Sequence, residues 1–332
     1  MSSSNNTEAT VQKLVIRNNH EWDPLEEVVV GLWVPNTLRM PTIEESVKAT
    51  FPYITQEAWD YLGKAENKLL SEAYPADDQL FCDEQEALVQ ALQSLGVKVR
   101  RPDEIEFPVI ATSSCYSRDP IVTIGNKTII TNMNLENRRQ ETPSYRRIAL
   151  ELATQYNGTV VSMPPNKAGY PDSNAYLEGG DVFVDGKDIY VGVTGNASND
   201  NGIAWLREEL GSDYTVHKVP LNSNVLHLDC AMMLINERQG LICKEDFVDF
   251  DALPDRLKNR QWVEVEPKQA QVMATNGICV NPTTIMMRKG FTEVAEKVRA
   301  IGVEVIELDF KKADYFGGGL RCSYQPIRRK EA

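Results

Sequence analysis

One supersecondary unit recurs along the chain: two short β-type runs separated by a turn, followed by an amphipathic helix. The turns fall near residues 125, 185, 240 and 281, and a first strand candidate lies at 25–33. A unit that recurs about every 40–60 residues, with a longer first interval, predicts stacked or radial repetition rather than two unlike domains. The paired runs cover residues 120–124 and 128–131, 181–184 and 189–191, 231–235 and 241–243, and 277–280 and 284–287.

The helical part of each unit has its apolar residues on one face. Leu88, Ala91, Leu92 and Leu95 lie at i, i+3, i+4 and i+7, and Gly96 follows as a stop signal. Similar patterns cover residues 148–152, 203–210 and 294–301, and the region 245–260 carries the weakest one. Such units also fit a doubly wound sheet, but the glycine-rich dinucleotide and phosphate-loop motifs are absent. The pattern favours a closed α/β repeat, with the doubly wound sheet as the alternative.

Charge and hydropathy argue against two classes of partner. The 332 residues include 35 Lys and Arg against 48 Asp and Glu, which gives a net charge of −13. A nucleic-acid-binding surface needs a basic face, so no nucleic-acid partner is expected. No run approaches the roughly 18 consecutive apolar residues of a transmembrane helix, so no membrane partner is expected either.

The N-terminal segment and the cysteines indicate the compartment. Residues 1–14 are predicted to be a disordered tail of small polar residues, without the basic start and apolar core of a secretory signal. The six cysteines are scattered and form no C-x-x-C, which predicts free thiols in a reducing, cytoplasmic compartment. The three histidines lie neither at i,i+4 nor beside a cysteine, so a structural zinc site is not expected.

One cysteine follows three consecutive glycines, in the run Gly317-Gly-Gly-Leu-Arg-Cys322. Glycines adopt backbone angles closed to other residues and so allow a thiol to approach a ligand. Arg321, next to Cys322, would favour the thiolate, which is the reactive form. Taken alone, a glycine-rich turn before a buried packing thiol is the commoner meaning of such a segment.

A histidine and an aspartate lie two residues apart in Leu226-His-Leu-Asp229. If this segment is a strand, His227 and Asp229 project from the same face. The carboxylate would then orient the imidazole or bind the same cationic ligand. A hydrogen-bonded core histidine remains the commoner explanation for a lone His on an apolar strand.

Further carboxylates stand at the starts of hairpins. Asp119 begins the second hairpin, and Glu178 and Asp181 flank the glycine pair before the third. Singly, these residues are ordinary turn formers. However, Asp119, Glu178, His227 and Cys322 each begin a different unit, so a radially closed array would bring them to one pocket. Carboxylates bind guanidinium N–H groups in pairs, and a thiolate attacks an electrophilic carbon, so such a pocket suits a guanidinium.

Several ordered motifs resemble those of the amidinotransferases that make guanidino compounds. The motifs are His20–Gly31, Leu95–Asp103, Ser117–Pro120, Gly202–Arg207, His227–Asp229, Gly317–Cys322 and Pro326–Arg329. These enzymes belong to the guanidino-group-modifying superfamily, whose fold is a five-bladed pseudo-symmetric α/β propeller, the pentein fold. The resemblance therefore implies one catalytic α/β-propeller domain over residues 15–330 and disfavours the doubly wound sheet.

The resemblance also implies roles for the candidate residues. It makes Cys322 the nucleophile, His227 the general acid and base, and Asp119, Glu178 and Asp229 the carboxylates that bind or orient the guanidinium. The implied substrate-binding set also contains Asp181, Arg118 and Arg321. No metal or organic cofactor is implied, and the implied partners are a small guanidine such as L-arginine, an amine acceptor and a second copy of the chain in a homodimer.

Two positions depart from the amidinotransferase pattern. The run Leu177-Glu-Gly-Gly-Asp181 stands in place of F-D-A-A-D, and Arg321 stands in place of a histidine before the cysteine. The E-G-G-D run resembles the hydrolytic relatives, the arginine deiminases and dimethylargininases, and an arginine before the cysteine also occurs among deiminases. We therefore expect an L-arginine-dependent amidinotransferase that releases ornithine, with a guanidine hydrolase producing citrulline or ornithine plus ammonia as the alternative. A non-catalytic binding protein on the same scaffold is a third possibility.

One proline- and glycine-rich loop, at residues 164–171, is a candidate lid that would exclude water from a transferase site. A passive surface loop is the commoner meaning of such a composition. The sequence indicates neither the acceptor amine nor the residue that binds the α-carboxylate of the substrate.

Overall fold

Short strands alternate with helices along the chain. The computed structural model describes residues 13–104, 114–167 and 169–331. The strands are β1 (Leu14–Val15), β2 (Leu25–Val30), β3 (Lys98–Arg100), β4 (Ile121–Ile124), β5 (Lys127–Ile130), β6 (Tyr156–Asn157), β7 (Thr159–Ser162), β8 (Val182–Asp185), β9 (Asp188–Val193), β10 (Thr215–Pro220), β11 (Met232–Leu234), β12 (Gln239–Ile242), β13 (Gln261–Glu264), β14 (Ile278–Asn281), β15 (Thr284–Arg288), β16 (Glu304–Leu308) and β17 (Tyr324–Arg329). The α-helices are α1 (Glu45–Thr50), α2 (Gln56–Lys64), α3 (Leu70–Ala73), α4 (Pro75–Ser94), α5 (Arg146–Gln155), α6 (Asp200–Leu210), α7 (Leu228–Ala231), α8 (Asp255–Lys258), α9 (Pro267–Ala270), α10 (Thr292–Ala300) and α11 (Ala313–Phe316).

Five three-stranded sheets repeat one arrangement. In each sheet the middle strand pairs antiparallel with one neighbour and parallel with the other. The sheets are β4-β5-β7, β8-β9-β10, β11-β12-β13, β14-β15-β16 and β17-β2-β3, and β1 pairs with β6. A helix joins each middle strand to its parallel neighbour, because parallel strands require a crossover connection. The α/β class and the recurring hairpin–helix unit are thus confirmed, and the described strands form separate sheets instead of one doubly wound sheet.

The first unit takes its antiparallel strand from the opposite end of the sequence. Strand β17 pairs with β2, so that Tyr324 lies opposite Val30 and Gln325 opposite Val29. This pairing supplies the partner that the sequence did not identify for the first strand candidate. The number of equivalent sheets, five, equals the number of blades in a five-bladed propeller. The closure of these sheets around one axis stays a prediction.

The connecting helices are held by their apolar faces. Leu88 and Leu92 of α4, Leu206 of α6 and Val298 of α10 are each 0% exposed, and burying such a side chain contributes about 1.5–3 kcal/mol. Helices α4, α5, α6 and α10 confirm the four predicted ones. The weakly patterned region 245–260 contains the one-turn helix α8.

The longer first interval contains an inserted segment, residues 36–68, here called the covering segment. It lies between β2 and α4 and carries α1 and α2. The Thr55 side chain accepts a hydrogen bond at the start of α2 and so caps that helix. Leu38 and Leu62 are buried in a hydrophobic cluster that also contains Phe81 of α4. The segment therefore has a small core of its own against the first unit.

Three predictions about the chain as a whole have different outcomes. Residues 1–12 of the predicted tail lie outside the described residues, and Leu14, the last residue of that tail, pairs with Tyr156 in β6. The six cysteines are free, as predicted. Among the described residues, no helix is long and apolar enough to cross a bilayer.

Candidate active site

Four of the predicted residues stand just before the first strand of four different sheets. Asp119 precedes β4, Glu178 precedes β8, His227 precedes β11 and Cys322 precedes β17. Each of the four is at most 4% exposed. Asp119, His227 and Cys322 line one cavity, and Glu178 contacts His227 from behind. The structure thus brings the four side chains into one group.

His227 lies at the centre of this group. Its Nε2 atom is 2.8 Å from Oε2 of Glu178, and its Nδ1 atom is 3.8 Å from Oδ1 of Asp119. The strand predicted here is wrong, because His227 is followed directly by the one-turn helix α7. Asp181 explains the turn, since its Oδ1 atom accepts a hydrogen bond from the first main-chain N–H of that helix at 3.1 Å.

Gly180 allows the imidazole and the carboxylate to approach each other. A Cβ atom at this position would lie 2.6 Å from Nδ1 of His227 and 2.9 Å from Oδ1 of Asp119. The Gly180 N–H also donates to Asp119 at 2.9 Å. Any other residue would push these groups apart, which explains the second glycine of the E-G-G-D run.

Cys322 is held through both its main chain and its side chain. Its N–H donates to Oδ1 of Asn276 at 3.1 Å, and its sulfur lies 3.8 Å from Oδ2 of Asp229. The Asn276 amide also donates to the main-chain oxygen of Asp229 at 3.1 Å. Asn276 therefore positions the thiol relative to that carboxylate. The sequence analysis missed it, because its loop carries no distinctive motif.

Arg321 does not act on the thiol as predicted. Its guanidinium bonds two buried carboxylates, Oδ2 of Asp229 and Oε2 of Glu21, each at 3.1 Å, so its charge is balanced there. Burial raises the pKa of Cys322 well above the ordinary value, and the charges of Asp229 and Asp119 raise it further. The unliganded protein therefore holds Cys322 as a neutral thiol at neutral pH.

His227 and Asp119 carry opposite charges. Burial alone would lower the pKa of His227, but Asp119, Asp181 and the hydrogen bond to Glu178 raise it to about 10. Burial alone would raise the pKa of Asp119, but His227 and Arg138 hold it below the ordinary value. At neutral pH His227 is consequently an imidazolium beside the ionised carboxylate of Asp119.

Arg138 is a further member of the group that the sequence analysis missed. Its Nη1 atom is 2.8 Å from Oδ2 of Asp119, and its fork makes two 3.0 Å bonds to the buried carboxylate of Glu141. It also lines the cavity. In the sequence, Arg138 is followed by Glu141 at i+3, after the second hairpin. Such a pair more often lies on a solvated helical surface, so it did not indicate a site.

Asp181 and Arg118 are not among the described residues that line the cavity. Asp181 accepts a hydrogen bond from the Ser198 N–H at 3.2 Å, and burial raises its pKa to about 7. Arg118 has its guanidinium 4.6 Å from the centre of the Tyr324 ring and donates to the main-chain oxygen of Arg321 at 3.4 Å. These contacts are structural, and the substrate-binding roles implied for both residues stay predictions.

The cavity is large compared with the group at its base. It encloses about 1020 Å³, the open mouth included. We call Asp119, Arg138, His227 and Cys322 the floor of the cavity. The part of the lining that residues 38–62 of the covering segment provide is called the wall.

The candidate lid at residues 164–171 contributes none of the described lining residues. Ala168 of that loop lies outside the described residues. The segment that covers the cavity is instead the insertion in the first unit. The placement thus favours the passive alternative for the loop.

Part of the group also has the composition of a metal site. Ligand atoms of Asp119, Glu178 and His227 lie within 4.8 Å of one another, and carboxylate and imidazole groups bind divalent cations. The Arg138 guanidinium lies 2.8 Å from Asp119 and 3.9 Å from Glu178, which already brings a cation to these oxygens. The expected absence of a metal stays a prediction.

Sequence and structure comparisons identify the chain as one of the guanidino-group-modifying enzymes of the pentein superfamily, as its motifs indicated. Within this class, it belongs to the family described as N,N dimethylarginine dimethylhydrolase, eukaryotic, whose sequence model matches residues 63–329. Its relatives and structural neighbours act on guanidino groups by transfer or by hydrolysis.

Three relatives illustrate both reactions. Inosamine-phosphate amidinotransferase 1 of Streptomyces griseus is 26% identical over 94% of this chain and 96% of the relative. The solved structure of SxtG, an amidinotransferase from Microseira wollei, has a TM-score of 0.77 at 22% identity, covering 96% of this chain and 98% of that chain. The DDAH structure from Pseudomonas aeruginosa, a cysteine-to-serine mutant complexed with citrulline, has a TM-score of 0.64 at 20% identity and covers 91% of this chain and 99% of that chain.

Proposed function

We propose that this protein transfers the amidino group of L-arginine to a primary amine through a covalent adduct on Cys322 and releases ornithine. The observation that carries the proposal is the floor of the cavity. There a thiol, a charged imidazole and an ionised carboxylate meet in one enclosed space. The family membership supports chemistry at a guanidino carbon, and the full-length amidinotransferase relatives support transfer.

The thiol becomes reactive when the cationic substrate binds. The neutral Cys322 lies next to a carboxylate that raises its pKa. A guanidinium bound at Asp119 in the cavity brings a positive charge to the sulfur, which lowers that pKa and favours the thiolate. Deprotonation is thus coupled to binding, and a reactive anion is not exposed in the empty site.

The reaction then proceeds in two displacements. Cys322 gives its proton to the carboxylate of Asp229, whose Oδ2 atom lies 3.8 Å from the sulfur. The thiolate bonds to the guanidino carbon, and the His227 imidazolium donates its proton to the departing nitrogen, so that the C–N bond breaks and ornithine leaves. The amidino group remains on Cys322. In the second half, the nitrogen of the acceptor amine bonds to the same carbon, the neutral His227 accepts its proton, and the C–S bond breaks. The thiolate that is released takes its proton back from Asp229.

Arg138 is proposed to bind the α-carboxylate of the donor. It is the arginine in the described lining of the cavity, and its guanidinium already bonds Glu141 and Asp119. The α-carboxylate would therefore take the place of one of these two carboxylates on the guanidinium when the donor binds.

The hydrolytic alternative keeps a specific observation in its favour. The E-G-G-D run and Arg321 resemble the hydrolases, and the family model is that of a hydrolase. Against water as the acceptor, the described lining that the wall provides is mainly apolar and carries no charged side chain. We therefore propose transfer as the main reaction and hydrolysis as the competing fate of the adduct.

Product analysis tests the choice. The protein is incubated with L-arginine, with and without a panel of primary amines, and ornithine, citrulline, urea and ammonia are quantified. Ornithine that appears only with an amine, together with the matching new guanidine, is the expected result. Citrulline and ammonia formed without any amine would identify a deiminase instead.

We further propose that the five equivalent sheets surround one axis as a five-bladed propeller. The support is the pairing of β17 with β2, which returns the chain to its first sheet, and the position of Asp119, Glu178, His227 and Cys322 before the first strands of different sheets. An experimental structure would test this directly, and sheets stacked along a line would contradict it.

A further inference from the structure

The cavity has a charged floor and an apolar wall. The charged side chains among its described lining residues are Asp119, Arg138 and His227, which contact one another. The wall presents Ile43, Phe51, Ile54, Trp59 and Leu62. Described charged groups therefore face the cavity from the floor and not from the wall.

The wall is held in place by contacts with the rest of the fold. Tyr61 of α2 is stacked between two other rings, with centroids 3.8 Å from Tyr315 and 4.1 Å from Tyr74. Its hydroxyl donates to Asp77 at 3.0 Å. These contacts anchor α2, which carries Trp59 and Leu62, to α4 and α11. The apolar face is held toward the cavity without any ligand.

The wall is available to the second substrate, because ornithine leaves the cavity before the acceptor enters in a reaction of two displacements. The charged groups of arginine are expected to use the floor. The aromatic and aliphatic side chains of the wall offer no charge to either end of the donor.

We propose that the acceptor is a primary amine with an apolar aliphatic or aromatic body that packs against the wall. The inference rests on the proposed transferase function and names the class of its second substrate. After ornithine leaves, the amine nitrogen reaches the amidino carbon on Cys322, and the body of the acceptor removes the wall from water. A small zwitterion such as glycine would leave most of that wall exposed and would bring a second carboxylate near Asp119.

A homologous series of amines measures this directly. Ethylamine, butylamine, hexylamine and octylamine have nearly the same basicity, so the rate of the chemical step is held constant along the series. Each added methylene that is buried should raise kcat/KM by about fourfold, until the cavity is full. Glycine is included as the polar comparison. The readout is the new alkylguanidine, quantified by mass spectrometry with L-arginine as the fixed donor.

Hydroxylamine tests the transferase function separately from the acceptor class, because this small and reactive amine does not need contacts with the wall. If hydroxylamine, butylamine and glycine all fail to release ornithine from arginine, the proposed transferase function fails. If hydroxylamine works and the alkyl series is flat, or glycine equals hexylamine, only the apolar acceptor is overturned. A series of alkylguanidine donors that surpasses arginine, with a flat amine series, would also overturn it.

Two variants of the wall test whether it causes the expected preference for longer amines. Trp59→Ala should lower kcat/KM for hexylamine about tenfold or more and leave ornithine release with hydroxylamine within about twofold. Ile43→Ala should do the same to a smaller extent and serves as a second, smaller truncation. Leu150→Ala, on the outer face of α5 where this residue is 65% exposed, is the matched control. Equal losses with both amines, or no loss with hexylamine in either wall variant, would contradict the proposal.

Discussion

The floor and the wall of the cavity are built in opposite ways. Three of the floor residues, Asp119, His227 and Cys322, come from different units, far apart in sequence, and each stands before the first strand of its sheet. The wall comes from one inserted segment of the first unit with its own small hydrophobic cluster. Changing a floor residue disturbs a network of buried charges, whereas changing the wall alters one surface. The proposed chemistry and the proposed choice of acceptor thus depend on separable parts of the chain.

The largest expected effect is the loss of the nucleophile from the floor. Cys322→Ala should lower turnover by about 10⁴-fold or more, because no other group would form the covalent adduct. Single-turnover release of ornithine measures it. Cys82→Ala, a thiol on α4, is the matched control and should keep full activity. Ornithine release at the wild-type rate by the Cys322 variant would contradict the covalent route.

Removal of one charge behind the floor should have the next largest effect. Glu178→Gln keeps the shape of the side chain but replaces the carboxylate 2.8 Å from His227. Activity should fall by about 10²–10³-fold, because Glu178 is expected to stabilise the imidazolium that protonates the leaving nitrogen. The alkaline limb of the kcat/KM profile should move to lower pH. A profile with unchanged shape would show that this carboxylate does not set the protonation of His227.

The floor should also make the stability of the protein depend on pH. The pKa of His227 is raised from 6.5 to about 10, so its contribution is complete below pH 6.5 and is lost as the pH rises toward 10. The free energy of unfolding should therefore fall by about 2–3 kcal/mol between pH 7 and 9.5. Urea unfolding at several pH values measures this, and the Glu178→Gln variant should show a smaller slope. Equal slopes would contradict the assignment to His227.

A smaller effect, on the KM for L-arginine, should distinguish the role of Arg138 on the floor from the role of the wall. Arg138→Lys retains the charge but loses the two-pronged geometry, so the KM for L-arginine should rise about tenfold with a smaller change in kcat. Trp59→Ala should leave that KM within about twofold, because the donor is expected to use the floor. Steady-state kinetics with hydroxylamine as acceptor provide both values. A larger rise in the wall variant would reverse the roles of the two regions.

The local parts of this architecture could be predicted from the sequence. Hairpin turns and helix faces depend on residues that are close in the chain, and the position of Asp119, Glu178, His227 and Cys322 before their strands follows from the repeat. Features that depend on distant residues could not be predicted. The turn of α7 is set by Asp181 from another unit.

The protonation of the Cys322 thiol and the contacts of Asn276 and Arg138 could not be predicted from the sequence either. Arg321 is adjacent to Cys322 in sequence, but its charge is taken up by Glu21 and Asp229, which only the packed fold brings to it. Asn276 and Arg138 lie in segments whose local composition is ordinary. The importance of Asn276 follows from its contacts with Asp229 and Cys322 in other units, and Arg138 bonds Asp119 and Glu141 of its own unit. Sequence motifs thus indicated which candidate residues would meet, and the fold determined the protonation expected for them.

The pairing of β17 with β2 has a consequence for the order of folding. Cys322 stands directly before β17, so a nascent chain that has emerged from the ribosome only through β16 contains four complete sheets but not the proposed nucleophile. Contacts between segments so distant in sequence form slowly. During refolding from denaturant, turnover should accordingly return later than helical signal, and the enzyme would be silent until its last strand docks.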